Sequence, residues 1–537
     1  MKIRPKKAVF TISMLIGLFM AGCVPAPAPE RKITTEMGLG TTIGSLVEVF
    51  AFDLVPVEGY SLVGGLNGTG SEECPADIRE YLEKYILKQM PDQKTDIDKL
   101  ISSHDTAVVA VRGLMPRAAS KNELFDVGVA ALPNTQTTSL EGGWLYGTEL
   151  KVAGGFGIAM KILVKAEGPI FIDTLDAATN KRFGHVLAGG KVLNDYQISL
   201  AIRDPNYKVA NFIRNRLNER FGSGTAKALS DSQIELKIPA KYKRQKERFV
   251  LIIKAMYLNQ TRELAEERIT TFVRILATSP DKDLSEIALE TIGNECLSRL
   301  AALLNSSNEE VRLRAARCML NLGNDQGLET LVQITQDKNS PYRVSALEAI
   351  ISGAGRKDAA ATARRLLRDE NFDIRLAAYE SLRELEDITV SQKLISRSFY
   401  LEQITQTERK GIFVSRSGEP RIALFGTPIH CRKNVFIESA DGNIIINAPA
   451  GQKYISIMRR HPKRPDVVIQ LKSSFELGDI IQTLCEEPTR RTEQGRVGLN
   501  VSYAEAIALL KQMCDKGAVE AEFRAGPLPK IGMAIKK

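Results

Sequence analysis

Apolar and polar residues alternate in short runs in the N-terminal and C-terminal parts of this chain, and apolar residues recur every three or four positions in its middle. Runs of period two, rich in β-branched and aromatic residues, predict strands at 47–55, 106–114, 124–132, 196–203 and 233–239. Others follow at 410–415, 421–425 and 435–439, and Asp441-Gly442 turns the chain into a further apolar strand that ends at Asn447. With Ser139 to Leu150 closing it, the block from Asp126 reads as a self-sufficient core of strands and turns. Helical spacing places Ile78, Tyr81, Leu82, Ile86 and Leu87 on one side of a helix over 77–90, and Val209, Phe212, Ile213 and Leu217 on one side of a second. Asp204-Pro205-Asn206 opens that second helix with a side-chain acceptor and a proline in the first turn, and Phe221-Gly222 closes it, glycine being suited to a left-handed cap. Helices are also predicted at 477–484 and 506–513, the latter opened by the capping box Ser502 to Glu505.

Between about 262 and 400 the strand signal disappears and an imperfect repeat takes over. Glu310-Val-Arg312-Leu-Arg-Ala-Ala316, Pro341-Tyr-Arg343-Val-Ser-Ala-Leu347 and Asp373-Ile-Arg375-Leu-Ala-Ala-Tyr379 align, with a small residue (Ala315, Ala346, Ala378) in each and a second helix such as 328–334 between them; 285–293 looks like an earlier, degraded unit. This is the signature of short HEAT-like helical repeats, in which stacking buries a face that no single unit covers. The repeated arginines are read as surface or inter-repeat ion pairs rather than a ligand ladder. The fold class is therefore α+β, a β-rich frame with short helices interrupted by an α-solenoid, and a protein partner is the default function for the solenoid.

The glycine-rich stretch Gly59 to Gly70, with Gly64, Gly65, Asn67 and Gly68, reads as tight turns between strands. It lacks the Gly-Lys-Ser/Thr of a phosphate loop, and the acidic pair Glu72-Glu73 after it would repel phosphate. The four histidines (104, 185, 430 and 461) are scattered, without the spacing of metal ligands, and no nucleophile elbow is present. No catalytic residue, cofactor site or metal site is assigned. Seven cysteines occur; Cys296 and Cys318 fall in apolar helical patterns and read as small buried hydrophobes, and no pairing is assigned among Cys74, Cys296, Cys318, Cys431, Cys485 and Cys514.

Residues 1–22 read as an export signal: Lys2, Arg4, Lys6 and Lys7 precede an uncharged run from Ala8 to Gly22, shorter than a membrane span. Leu18-Phe-Met-Ala-Gly-Cys23 resembles a lipobox, which makes Cys23 the acylation site and the proline-rich 23–40 a tether. With no acidic residue directly after Cys23, the expected place is the periplasmic side of the outer membrane. The full chain carries a net charge of +9, but 262–400 holds 19 basic and 22 acidic residues, so the positive charge lies on the frame. That suits anionic cell-wall polymers or lipid headgroups; nucleic acid is excluded by the export signal and the absence of a binding motif. The basic clusters at Lys241, Lys243, Arg244, Lys246 and Arg248 and at Arg459, Arg460, Lys463 and Arg464 are read as solvated surface.

Five blocks, Gly59 to Gly70, Asp126 to Leu150, Leu200 to Pro239, Asn443 to Asn447 and Leu477 to Glu522, stand in the order found in the flagellar P-ring protein family, which the chain resembles over 41–250 and 405–525. Asp126, Val127, Val129, Ser139, Leu140, Gly142, Gly143, Thr148 and Leu150 match the family pattern position by position, as do Pro205 and Gly222 in the third block. The resemblance implies a structural, non-enzymatic subunit of the periplasmic ring around the flagellar rod. Its implied partners are further copies of itself, the rod and outer-membrane ring proteins, peptidoglycan, and a membrane through the lipid anchor. The lipobox, Ser120-Lys-Asn-Glu123 in place of the family's lead into the Asp-Val strand, and the helical insert depart from the pattern. The alternative is an envelope lipoprotein scaffold whose repeats bind another protein. The ring reading expects the two flanking parts to close into one body, with the repeats protruding as an appendage.

Overall fold

The structure, a computed structural model, describes residues 39–50, 52–89, 96–154, 161–175, 179–259, 261–461, 464–488, 491–492, 495–496 and 498–531. The signal, Cys23 and nearly all of the tether lie outside them. Among the described residues no helix is long and apolar enough to cross a membrane.

The period-two runs close into a barrel. Strands Val55–Gly64, Thr106–Met115, Leu124–Ala131, Phe183–Val192, Val164–Pro169 and Trp144–Val152 follow one another around it in that order, every neighbouring pair antiparallel. Alternation puts Val57, Val109, Val111, Val127, Val129 and Leu150 into its interior. The block from Asp126 to Leu150 is thus not self-sufficient: its two strands do not pair with each other, and each needs partners from elsewhere in the chain. Outside the barrel, helix Ala76–Gln89 lays Leu82 and Ile86 on Leu62 and Val108. Leu87, expected on the inner side, is exposed because the helix meets the barrel along a narrower stripe.

The run at 47–55 is two strands, since the chain changes sheets there. Val47–Phe50 joins Ile198–Ile202, Gln233–Leu236 and Ala226–Ala228 in an antiparallel sheet, while Val55 enters the barrel. Helix Tyr207–Phe221 covers that sheet with Ala210, Ile213 and Leu217; Phe212 points to solvent. Its cap is Asn206, whose side chain accepts from the amides of Lys208 and Val209, so Asp204 and Pro205 stand before the helix and not in its first turn. Gly222 ends the helix at φ +103°, with an extended ψ of 151° in place of a left-handed cap.

Eight helices, from Arg262–Thr278 to Phe372–Glu384, form the solenoid among the described residues. Ala315, Ala346 and Ala378 are fully buried, and a Cβ on Gly327 would stand 2.4 Å from the Ala316 carbonyl oxygen, so these helices touch through small residues. Of the repeated arginines, Arg343 and Arg375 are buried, whereas Arg312 stays partly exposed beside Glu309 at 3.7 Å. Arg375 donates to the carbonyls of Asp369 and Glu370 at 2.9 Å, and Arg343 to that of Thr335 at 2.9 Å while pairing with Asp369. Arg343 folds back from the start of its helix onto the end of the preceding one, and Arg375 onto the loop that joins the two, pairing backbone oxygens that burial would otherwise leave unpaired.

The helical run stops at Glu384, and strand Val390–Ile395 and the start of strand Phe399–Ile404 lie within the stretch expected to be helical. They join Arg421–Phe425, Gly411–Val414 and Glu522–Ala525 in a mixed five-stranded sheet. Alternation gives that sheet two apolar faces. Ile404, Phe413, Ala423 and Phe425 meet Phe372 and Tyr379 of the last solenoid helix, whereas Leu401, Ile412, Ile422 and Leu424 meet helices Leu477–Cys485 and Tyr503–Asp515. A four-stranded antiparallel meander, 435–473, completes this part.

Candidate functional site

The glycine-rich motif and the Ser139 to Gly143 turn come together at one end of the barrel. Gly65, Asn67 and Gly68 turn the chain at positive φ, and the Gly68 amide donates to Asp105 at 2.8 Å. Thr69 then ties the two blocks: its hydroxyl donates to the Ser139 carbonyl at 2.8 Å and its own carbonyl accepts from the Thr138 amide at 2.9 Å. Two glycines are there for close approach. A Cβ on Gly70 would lie 2.0 Å from the Thr106 carbonyl oxygen, and one on Gly143 would lie 2.4 Å from the Val63 side chain. Gly64 ends its strand beside Tyr146, Gly59 faces the Glu149 carbonyl across the barrel wall, and Gly142 turns at φ +74°. Pro205 and Gly222 belong to the other sheet and take no part in this cluster.

Asp126 serves a different junction. Its carboxylate accepts from the Ala188 amide at 2.7 Å within the barrel and from the Gly418 amide at 2.8 and 2.9 Å in the C-terminal part. Beside it Arg416 pairs with Asp173 at 2.9 Å, and Phe171 sits 5.9 Å from the ring of Tyr503. His185, packed edge-on against Phe183 at 4.8 Å, lies here too. Burial pulls its pKa below the usual histidine value, outweighing the upward pull of Asp126 and Asp173. The two flanking parts therefore close on one another.

Four residues of the first basic cluster act as a clamp, while Lys243 stays exposed as expected. Arg248, its side chain 14% exposed, bonds Glu290 and, at 2.8 Å, Glu286 of solenoid helix Asp283–Ile292. Lys241 reaches the Asn321 carbonyl at 2.5 Å, Arg244 reaches Glu384 at 2.6 Å, and Lys246 pairs with Glu123 at 2.9 Å. One segment of the frame thus touches the first, middle and last parts of the solenoid. Arg317 and Arg314 approach Glu286 from its other side at 2.5 and 3.1 Å. Burial alone would raise the Glu286 carboxyl; Arg248 and Arg317 more than reverse this and hold it at about 2. In the second cluster Arg459 is likewise engaged, with the carbonyls of Leu499 and Asn500. The solenoid is built into the body and does not protrude from it.

Residues 43–270 match the flagellar P-ring protein family. Residues 269–351 and 328–398 match HEAT repeats. The flagellar P-ring protein of Hydrogenovibrio crunogenus is 30% identical over 200 residues, 34% of this chain and 51% of that protein. That of Campylobacter lari is 30% identical over 218 residues, covering 37% and 59%, and that of Thermotoga maritima 29% over 199 residues, covering 34% and 56%. The chain spans about half the length of the curated relatives it matches.

The P-ring segment contains the barrel, the four-stranded sheet and the clamp, and with them every glycine of the motif; the blocks at 443–447 and 477–522 lie outside the matched span. It also carries a cleft of about 470 Å³ between helix Ala76–Gln89 and the barrel wall, lined by Glu58, Tyr81, Lys84, Tyr85, Glu149 and Lys151. The rings of Tyr81 and Tyr85 stack there at 6.2 Å. Neither the cleft nor the clamp was legible in the sequence: the tyrosines looked like one helix face, and the lysines and arginines like surface charge. Among the described residues, no group of three or more His, Cys, Asp or Glu is placed to hold a metal ion, and no two of the six described cysteines are joined in the structure.

Proposed function

We propose that this protein is a structural subunit of the flagellar basal-body P-ring, exported to the periplasm, acylated at Cys23 and held against the outer membrane. Its partners are further copies of itself, the rod, the outer-membrane ring proteins and peptidoglycan. The role calls for shape and self-association and no catalysis. One observation carries the reading: the segment that matches P-ring proteins holds a closed barrel, and Asp126 of that barrel docks the C-terminal part. The repeats stiffen this subunit from within, since the clamp residues grip them at three points.

A clean deletion strain tests the role. Loss of motility, with the protein found in purified basal bodies of the parent, is the expected result; wild-type swimming with intact basal bodies rules it out. Electron microscopy of the purified protein should show closed rings.

The HEAT match favours a second reading, an envelope scaffold whose repeats bind another protein. It would leave motility unchanged in the same deletion strain.

A further inference from the structure

Two buried thiols in the solenoid lie against the same helix. Cys296 ends the short turn Asn294–Cys296, and its Sγ donates to the carbonyls of Gly293 at 3.1 Å and Leu289 at 3.3 Å. Cys318 stands in helix Glu309–Asn321 with its Sγ 4.0 Å from the Glu286 carbonyl. Glu286 and Leu289 are three residues apart on helix Asp283–Ile292, so the two sulfurs lie against carbonyls about one turn apart on the same helix. Both cysteines are fully buried and belong to one apolar cluster with Leu289, Leu300 and Met319. Direct contact with Cys296 and burial together push the Cys318 thiol well up. Read from the sequence, each is a small hydrophobe; only the fold brings both against the same helix.

We propose that Cys296 and Cys318 form a disulfide that staples the first unit of the solenoid to the second, directly behind the Glu286 and Glu290 carboxylates that Arg248 grips. The bond forms while the chain folds, before the site closes. The thiolate of one cysteine attacks a donor disulfide, either of a thiol-disulfide oxidoreductase or of oxidised glutathione, and the second displaces it. Two S–H bonds are lost with two protons, one S–S bond forms, and the donor is reduced to two thiols. The place of this reaction in the cell rests on the export proposed above; the pairing itself does not.

The test therefore has two arms. The full-length chain is refolded in a buffer of reduced and oxidised glutathione, blocked with iodoacetamide, digested with trypsin and analysed by mass spectrometry. Cys296 falls in peptide 283–299 and Cys318 in peptide 318–338, each with a single cysteine. The expected product is those two peptides joined, with a melting temperature that falls by several degrees on adding dithiothreitol, and with no such fall in C296A/C318A. Both peptides recovered alkylated, or joined to other cysteines, would overturn the proposal. The second arm repeats the blocking on the protein in an envelope fraction: joined peptides in the first arm but alkylated ones in the second would leave the pairing standing and count against export.

Discussion

The two oxygens of Asp126 accept the Gly418 amide hydrogen at 2.8 and 2.9 Å, across 292 residues of chain, while one of them also takes the Ala188 amide at 2.7 Å. Oδ1 alone reaches both parts of the chain, and Oδ2 adds a second contact to the Gly418 amide. Asp126→Ala is expected to lower stability by about 2 kcal/mol, within the range for losing hydrogen bonds to a charged group and leaving part-buried amides unpaired. Asp126→Asn, which keeps one acceptor oxygen, should lose less. Urea unfolding of the three proteins checks the order, and equal midpoints for D126A and the parent would show that the contact contributes nothing.

Glu286 gives the protein an acid-sensitive link between frame and solenoid. Its folded-state pKa of about 2 lies below the ordinary value of 4.5, so its contribution is complete above about pH 5 and lost as the pH falls towards 2. The shift corresponds to about 3 kcal/mol. Glu286→Gln should lose a similar amount at pH 7, because Arg248 and Arg317 are left facing a neutral group. The variant's stability should also change less than the parent's between about pH 5 and 2. Chemical denaturation across that range decides the matter; parallel curves would refute the assignment.

At the barrel end, two glycines that look alike in the sequence should respond differently. Gly65 has positive φ but open space around it, so Gly65→Ala carries only the left-handed penalty of about 1 kcal/mol. A Cβ on Gly70 meets backbone oxygen at 2.0 Å, which cannot move without displacing strand Thr106–Met115. Gly70→Ala is expected to cost about 2 kcal/mol or more and to reduce the yield of folded protein. Thermal melts of both variants measure the difference, and a milder G70A would mean that the turn is not held as described.

The elements were largely legible because burial imposes a period. Val109 and Val111, or Ala346 and Ile350, announce their strand and helix by spacing alone. What alternation does not encode is the partner. Nothing local tells that the strand of Val127 pairs with that of Val186 and not with that of Leu145, or that Asp126 waits for Gly418. The basic run from Lys241 to Arg248 shows the same gap: a charge looks solvated in the sequence whenever its counter-charge, here Glu286 or Glu384, lies far along the chain. Phe212 and Leu87 err in the opposite sense. Their spacing fits an apolar face, but the covered stripe is narrower than the pattern, and single exposed apolar residues are ordinary.

The way the solenoid is seated makes its removal a decisive experiment. An appendage could be cut out, with a short linker in place of residues 262–385, and leave the frame folded. Here the cut would uncover one face of the five-stranded sheet, where Phe425 packs 5.3 Å from Phe372 and 5.4 Å from Tyr379 and where Ile404, Phe413 and Ala423 share the same core. Exposing each large apolar side chain forfeits about 1.5–3 kcal/mol. The same cut leaves Arg248 without Glu286 and Glu290, an unpaired charge beside Phe249 and Ile252. Those losses together are comparable to the 5–15 kcal/mol by which a typical domain is stable. The shortened chain should therefore be insoluble or bind a hydrophobic dye without a cooperative melt. A soluble product with a sharp transition would show that the frame completes its core without the repeats.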